Sequence, residues 1–490
     1  MDIKKLHEKP PYGMIAILFI GAFTAFLNNT LLNIALPSIM EEFQISPAKV
    51  QWVTTGYMLV NGILIPASAY LIQRFTNRQI FLWAMSLFTI GTLAAMYSPV
   101  FAVLVIGRML QAAGAGMMMP LLMNVMLIAF PVERRGTAMG FLGLVMFVAP
   151  AIGPPMSGWI IEHYSWRMLF ALIVPFGIIS ILYAMFKLKN ITPNKKIQLD
   201  AFSIVLSSLG FGGLLYGFSS VGDLGWTSPQ VYVTILVGVL SLLIFIARQM
   251  RMEDPMLDFR IYKYPMFALS SVISITISAS MFSGMLLTPL YVQTVRDISP
   301  FYSGILMLPG AVVMGIMSPI TGRLFDKYGA KALALIGLSI LVVTTYFLSL
   351  LTMEDSYFYL MTLYSVRMFG MSLVMMPVMT NGLNELPMKS NPHGTAMNNT
   401  LQQVSGALGS AVLLTIMTKR SENVGIQLQQ QVAEGVTFDT DISTLAMLDG
   451  INFTFFISAI FALIALILAL FIKRPKIPQT YDGKEPGKSE

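Results

Sequence analysis

Val100-Phe101-Ala102-Val103-Leu104-Val105-Ile106-Gly107-Arg108-Met109-Leu110 opens an apolar run that continues to Leu127 and holds a single charged side chain, Arg108. The run is longer than the roughly 20 apolar residues that cross a hydrocarbon core. A guanidinium does not shed its charge, and at mid-membrane it costs about 2.5–3.5 kcal/mol even on the lenient insertion scale. Arg108 is therefore expected to face a protein interior or a water-filled path, which makes it a candidate functional residue. The alternative is that it snorkels to a lipid headgroup, but it lies well inside the run.

Composition extends this reading to the whole chain. Of 490 residues, 56% are hydrophobic and 11% charged, where ordinary soluble domains carry about 25% charged residues. The expected fold class is an all-α polytopic membrane protein. About fourteen segments are long and apolar enough to span, near residues 13–36, 49–71, 79–98, 100–127, 137–161, 167–187, 201–219, 229–248, 266–291, 301–321, 332–351, 357–384, 393–417 and 450–472. In lipid each segment must satisfy its own backbone groups, so these are helices. The short alternating segments of a β-barrel are absent.

Basic residues recur in alternate connections. Lys4, Lys5 and Lys9 precede the first span, followed by Arg74 and Arg78, Arg134 and Arg135, and clusters at 187–196, 248–263, 323–331 and from Lys473 onward. By the positive-inside rule both termini are cytoplasmic and the segment 420–449 is an external loop. The net charge of +7 is then a topology signal. It is not a nucleic-acid footprint, which needs a basic patch on a soluble domain. With no cysteine in the chain, disulfides and thiolate metal sites are excluded. No phosphate-cradling G-x-x-x-x-G-K-[ST] run is present, which argues against an ATP-driven pump.

The chain also echoes itself. Arg367-Met368-Phe369-Gly370, followed by Met375-Met376-Pro377, repeats Arg108-Met109-Leu110 followed by Met118-Met119-Pro120. Each copy lies on the fourth span of a six-span half. The expected organisation is residues 1–190 as the first half, 191–260 as two extra linker helices and 261–490 as the second half. Halves so related, with a site between them near the bilayer midplane, suit alternating access.

At these residues the chain resembles the major facilitator superfamily, and within it the fourteen-helix drug:proton antiporters of the EmrB/QacA type. Gly322-Arg323-Leu324-Phe325-Asp326-Lys327-Tyr328-Gly329-Ala330-Lys331 is similar to that superfamily's loop signature G-x-L-x-D-x-x-G-x-[RK]. Its glycines permit a tight turn, and its aspartate can accept from basic groups or a helix N-terminus. The first-half copy is degraded, with Ala69, Gln73 and Thr76 at the positions of the first glycine, the aspartate and the second glycine. Ala149 to Gly158, containing Gly153, Pro154 and Gly158, resembles the antiporter signature on the fifth span, where proline and glycine make a pliable, closely packed helix. Arg108, Gln111 and Gly114 resemble the fourth-span R-x-x-Q-x-x-G pattern, whose arginine the resemblance associates with proton coupling. The conformational candidates are thus Gly153, Pro154, Gly158, Gly322, Asp326, Gly329 and Arg367.

One departure matters for mechanism. Where the family has L-D-x-T-x-x-N-x-A-L-P, this chain reads Leu27-Asn28-Asn29-Thr30-Leu31-Leu32-Asn33-Ile34-Ala35-Leu36-Pro37, so Asn28 replaces a carboxylate and cannot titrate. No acid lies near the middle of a span, and Glu385 and Glu162 at span ends join Arg108 as proton-coupling candidates. The chain holds 37 Met and 32 Phe, and methionine can repack around differently shaped ligands. The expected binding residues are Asn28, Asn33, Tyr57, Gln111, Met118, Asn398 and Gln402, a few polar points among apolar walls.

The resulting expectation is a monomeric efflux transporter, not an enzyme. It exports small amphipathic compounds across the cytoplasmic membrane in exchange for protons, and it uses no cofactor, metal or nucleic acid. A dedicated metabolite or lipid exporter, or a membrane sensor with a transporter fold, are the alternatives.

Overall fold

Apolar runs of this length can satisfy their backbone groups only within themselves, and in the computed structural model they become helices. The structure describes residues 10–32, 35–45, 47–50, 52–191, 200–434, 437–438 and 441–475. In chain order the helices are α1 (Tyr12–Leu31), the short α2 (Leu36–Phe43), α3 (Trp52–Arg74), α4 (Asn77–Met96), α5 (Phe101–Ala129), α6 (Arg135–Gly143), α7 (Ala149–His163) and α8 (Arg167–Lys187). There follow α9 (Ala201–Ser219), α10 (Pro229–Arg251), α11 (Pro265–Leu290), α12 (Pro300–Tyr328), α13 (Ala330–Leu348), α14 (Tyr357–Ser372), α15 (Met375–Asn384), α16 (Asn391–Ala433) and α17 (Ile442–Ala469).

Thirteen helical runs among the described residues are long and apolar enough to cross a membrane. The remaining expected span, 137–161, is built from α6 and α7 joined by a π-helical turn, Leu144–Val148. A widened turn there follows from the prolines that come after it, which cannot donate to the ladder. The spans pack as two sets of six helices with an inserted pair, the arrangement that the resemblance implies. Helices α3 and α5 pack together, as do α4 and α5, and α1 packs on α7 and α8. In the second half α12 packs on α14, and α17 on α13 and α16.

The inserted pair sits beside the seam between the halves. Helix α9 packs on α3 of the first half and α16 of the second, whereas α10 leans mainly on α9. Asp200 caps α9 by accepting from Ser203 N and is bridged by Arg248 of α10 at 3.0 Å. Burial raises the Asp200 carboxyl, but bonds from Arg248 and Ser203 outweigh it and hold the group below its ordinary value.

The segment expected as an external loop is largely helical. Helix α16 runs 43 residues, about 65 Å at 1.5 Å per residue, roughly twice a hydrocarbon core. It continues through the Gln-rich stretch to Ala433, and α17 begins at Ile442. Arg420 Nε donates to Asp449 Oδ1 at 2.6 Å and ties the two rising helices together. Glutamine, leucine and alanine are good helix formers, so this polar stretch extends the helix.

Candidate functional site

Where the halves face each other a cavity of about 170 Å³ opens. Phe26 and Asn29 of α1, Tyr57 and Asn61 of α3, Met119 of α5, Met146 of the π turn, Met281 of α11, Met375 of α15, and Asn399, Gln402 and Gln403 of α16 line it. Its walls carry five carboxamides, one phenol and four methionines, and no charged group. A carboxamide both donates and accepts. Asn61 Oδ1 is buried and accepts no hydrogen bond among the described residues, leaving an acceptor for a ligand hydroxyl or amide. Asn399 Nδ2, in contrast, donates to the Thr395 carbonyl at 2.8 Å.

Arg108 lies one layer behind this cavity at 1% exposure. Its guanidinium stacks 4.3 Å from the centre of the Tyr57 ring, and Nη1 donates to Gln111 Oε1 at 2.9 Å. Nε donates weakly to the Val53 carbonyl at 3.5 Å. Gln111 Nε2 passes the chain on to Thr92 Oγ1 at 2.8 Å and to Asn28 Oδ1 at 3.4 Å. The cation is thus held by dipoles and a π face, with no carboxylate in contact among the described residues.

The sequence echo reappears as geometry. Arg367 is fully buried, donates from Nη2 to the Ser280 carbonyl and from Nε to Thr345 Oγ1 at 3.2 Å. Thr92 and Thr345 hold matching places in the third span of each half, fifteen residues beyond Asn77 and Ala330, which open α4 and α13. Two arginines related by the repeat therefore both reach across to the third helix of their half, the first through Gln111.

A family profile described as Major Facilitator Superfamily matches residues 18–410. The chain belongs to the major facilitator superfamily. It is 46% identical to the MFS-type transporter YhcA of Bacillus subtilis, over 96% of this chain and 94% of that protein. It is 44% identical to the lincomycin resistance protein LmrB of Listeria monocytogenes, over 95% of this chain and 98% of that one. A multidrug resistance protein B homolog of Mycobacterium tuberculosis is 26% identical over 82% of this chain and 75% of its own. Among solved structures, the human organic anion transporter MFSD10 superposes with a TM-score of 0.66 at 13% identity, covering 94% of this chain and 99% of that one; this likeness speaks to the fold alone. The protein is a membrane transporter and not an enzyme.

On the face of this transporter that carries Arg74, Arg134 and Lys327, the halves are tied together. Asp326, at the end of α12, accepts from Gly136 N at 2.8 Å, Thr137 N at 2.8 Å and Thr137 Oγ1 at 2.6 Å. Its carboxylate caps the first turn of α6, where unpaired N–H groups and the helix dipole favour an anion. The backbones meet closely here: a Cβ on Gly322 would lie 2.2 Å from the Gly136 carbonyl oxygen. Gly329 ends α12 at φ 81°, a conformation that favours glycine. Gln73, at the position of the missing first-half aspartate, meets His393 of α16 at 3.2 Å, and Arg135 Nη1 donates to Asn384 Oδ1 at 3.3 Å.

The transporter brings some expected binding residues together and separates others. Tyr57 and Gln402 line the cavity, and Asn398 lines a small adjoining pocket with Gln402, Met375 and Met379. Asn28 and Gln111 instead face the Arg108 network, and Met118 packs toward Gly21 of α1; their neighbours Asn29 and Met119 take the cavity wall. Asn33 lies outside the described residues. Asn61 was missed by the sequence reading, although it stands one helical turn after Tyr57 and so shares its face.

The acids expected to carry protons lie away from the cavity. Glu385 Oε2 accepts from Met266 N at 2.7 Å and Phe267 N at 3.2 Å, capping α11. Glu162 is exposed at the end of α7. The antiporter-signature glycines also differ. A Cβ on Gly153 would lie 2.2 Å from Thr30 Oγ1 of α1, whereas one on Gly158 would meet nothing within 4 Å. Pro154 belongs to α7.

Proposed function

We propose that this transporter exports small amphipathic compounds from the cytoplasm in exchange for protons, by alternating access, with both termini cytoplasmic and the monomer as working unit. The observation that carries the reading is the charge-free, carboxamide- and methionine-lined cavity between the halves. Apolar walls with a few groups that both donate and accept suit neutral or zwitterionic amphiphiles bearing hydroxyl or amide groups. A dication would leave its hydration shell for no countercharge, since Asn28 stands where the related pattern has an acid and Arg108 adds a positive field close by.

In this reading the ties around Asp326 hold the cytoplasmic side shut, and release of ligand occurs toward the other face. Gly153 and Gly322 let helices approach closely enough to rock, with Pro154 and Gly329 shaping the same two segments, and Arg367 anchors the second half as Arg108 does the first. With no carboxylate lining the cavity among the described residues, the proton is taken up by an acid outside it. Glu385 is the better placed of the two candidates, because it joins the end of α15 to the start of α11 on the gated face, while Glu162 is exposed. The relatives named for lincomycin resistance make lincomycin the first compound to try.

The experiment is uptake into inside-out proteoliposomes under an imposed proton gradient, with lincomycin, a neutral amphiphile, a monocation and a dication. Gradient-dependent accumulation of the neutral or zwitterionic compounds with weak dication transport supports the reading. Strong dication transport, or flux indifferent to the gradient, overturns it.

A further inference from the structure

A second and larger concavity, about 660 Å³, opens on the outer wall of the first half. That volume falls in the range of about 300–1,000 Å³ typical of small-molecule sites. Its floor is Met126 and Phe130 at the end of α5, and its sides are α1, with Ile15, Ala16 and Phe19, and the start of α6, with Ala138 and Phe141. Phe141 and Ala16 are exposed, so the groove faces the surroundings of the bundle and is unconnected with the central cavity's lining.

Its polar groups gather at one end. Arg134, Thr137 and Tyr12 stand at the adjoining helix ends, with the Tyr12 ring set edge-on to Phe130 at 6.3 Å. Arg134 is exposed and makes no ion pair among the described residues. Its neighbour Glu133 turns the other way, into a separate pocket with Arg474 and Asp326, so the groove meets the cation without the anion beside it. An apolar groove whose lining includes one cation, Arg134, unpaired among the described residues, has the chemistry to hold an acyl chain ending in a phosphate.

We propose that this groove between α1 and α6 is a binding site for one anionic phospholipid, its acyl chain against Ile15, Phe19 and Phe141 and its phosphate on Arg134. The orientation proposed above bears only on which leaflet supplies the lipid, and anionic lipid is concentrated in the cytoplasmic one. Thr137 gives the site a consequence. It lines the groove and is also one of the two residues that Asp326 grips. Lipid then supports the first turn of α6 from outside while the carboxylate holds it from inside, so an occupied groove favours the closed gate.

Native mass spectrometry of the full chain, released from micelles with added phosphatidylglycerol or phosphatidylcholine, tests this. The wild type should retain one phosphatidylglycerol in preference to phosphatidylcholine. Arg134→Gln should weaken that retention about tenfold, the factor for one lost charge-assisted bond, while Arg251→Gln, an exposed arginine on α10, should not. Ala16→Trp, which fills the groove from its exposed side, should abolish retention while leaving the thermal midpoint in lipid-free detergent unchanged. Equal retention in the two arginine variants, or undiminished retention in Ala16→Trp, overturns the proposal. So does equal binding of chainless glycerophosphoglycerol, which would mean a free-phosphate site, or a dimer that Ala16→Trp dissociates, which would assign the groove to a second copy.

Discussion

Asp326→Asn probes the tie between the halves with the smallest change of shape. The carboxylate accepts three hydrogen bonds from Gly136 and Thr137. An asparagine keeps one oxygen and turns an NH2 toward a backbone N–H, so one amide bond is lost outright, while the Thr137 hydroxyl can rotate to accept. A charge-assisted bond contributes about 1.5–3 kcal/mol and the anion at a helix N-terminus about 0.3–1 kcal/mol. The site is half-buried, so the sum of about 2–4 kcal/mol is screened only in part, and the open fraction should rise roughly thirty- to several-hundred-fold. Because the chain has no cysteine, one engineered thiol reports the change. Ser318 of α12 is 1% exposed, and its hydroxyl makes no hydrogen bond among the described residues. Its carbonyl packs against Gly140, so Ser318→Cys is a mild substitution at the closed seam. Maleimide labelling of that thiol should accelerate in proportion to the open population, and transport should fall while insertion is retained. An unchanged labelling rate in folded Asp326→Asn would refute the latch argument.

Four further outcomes are expected. Gly153→Ala should impair flux, because the methyl would press on Thr30 at 2.2 Å, whereas Gly158→Ala, with open space, should leave it unchanged; equal effects in transport assays would show that close packing is not the reason. Arg108→Lys should cut coupled transport roughly tenfold or more, since an ammonium cannot keep both the Gln111 bond and the stack on Tyr57; drug-dependent proton flux at wild-type level would contradict this. Burial raises the Glu42 carboxyl, but bonds from Arg167 and Trp166 prevail and hold it below its ordinary value, so its contribution is full above the unfolded pKa and is lost as pH falls through the folded one. The thermal midpoint of Glu42→Gln should accordingly vary less on acidification than that of wild type, and identical pH profiles would count against the clamp. A thiol placed by Gln430→Cys, near the end of α16, should react with an impermeant reagent in intact cells; reaction only after lysis would reverse the proposed orientation.

Much of this transporter is legible in its amino-acid sequence, because the controlling physics is one-dimensional. Run length decides what spans, backbone satisfaction makes each span a helix, and a lone guanidinium such as Arg108 must be buried against protein. The spacing around Asp326 likewise announces a turn carrying an anion toward a helix end. What the sequence leaves open is azimuth. Each residue step turns a helix by about 100°, and spans that are apolar all round carry no moment to say which side faces in. Hence the depth of Asn28 and Met118 was readable, but only packing decided that Asn29 and Met119 line the cavity while their neighbours face Arg108 and α1. Contacts between distant segments were hidden for the same reason. Glu385 became a cap for α11, and Gln73 met His393 across more than three hundred residues, because tertiary structure alone brings those helix ends together.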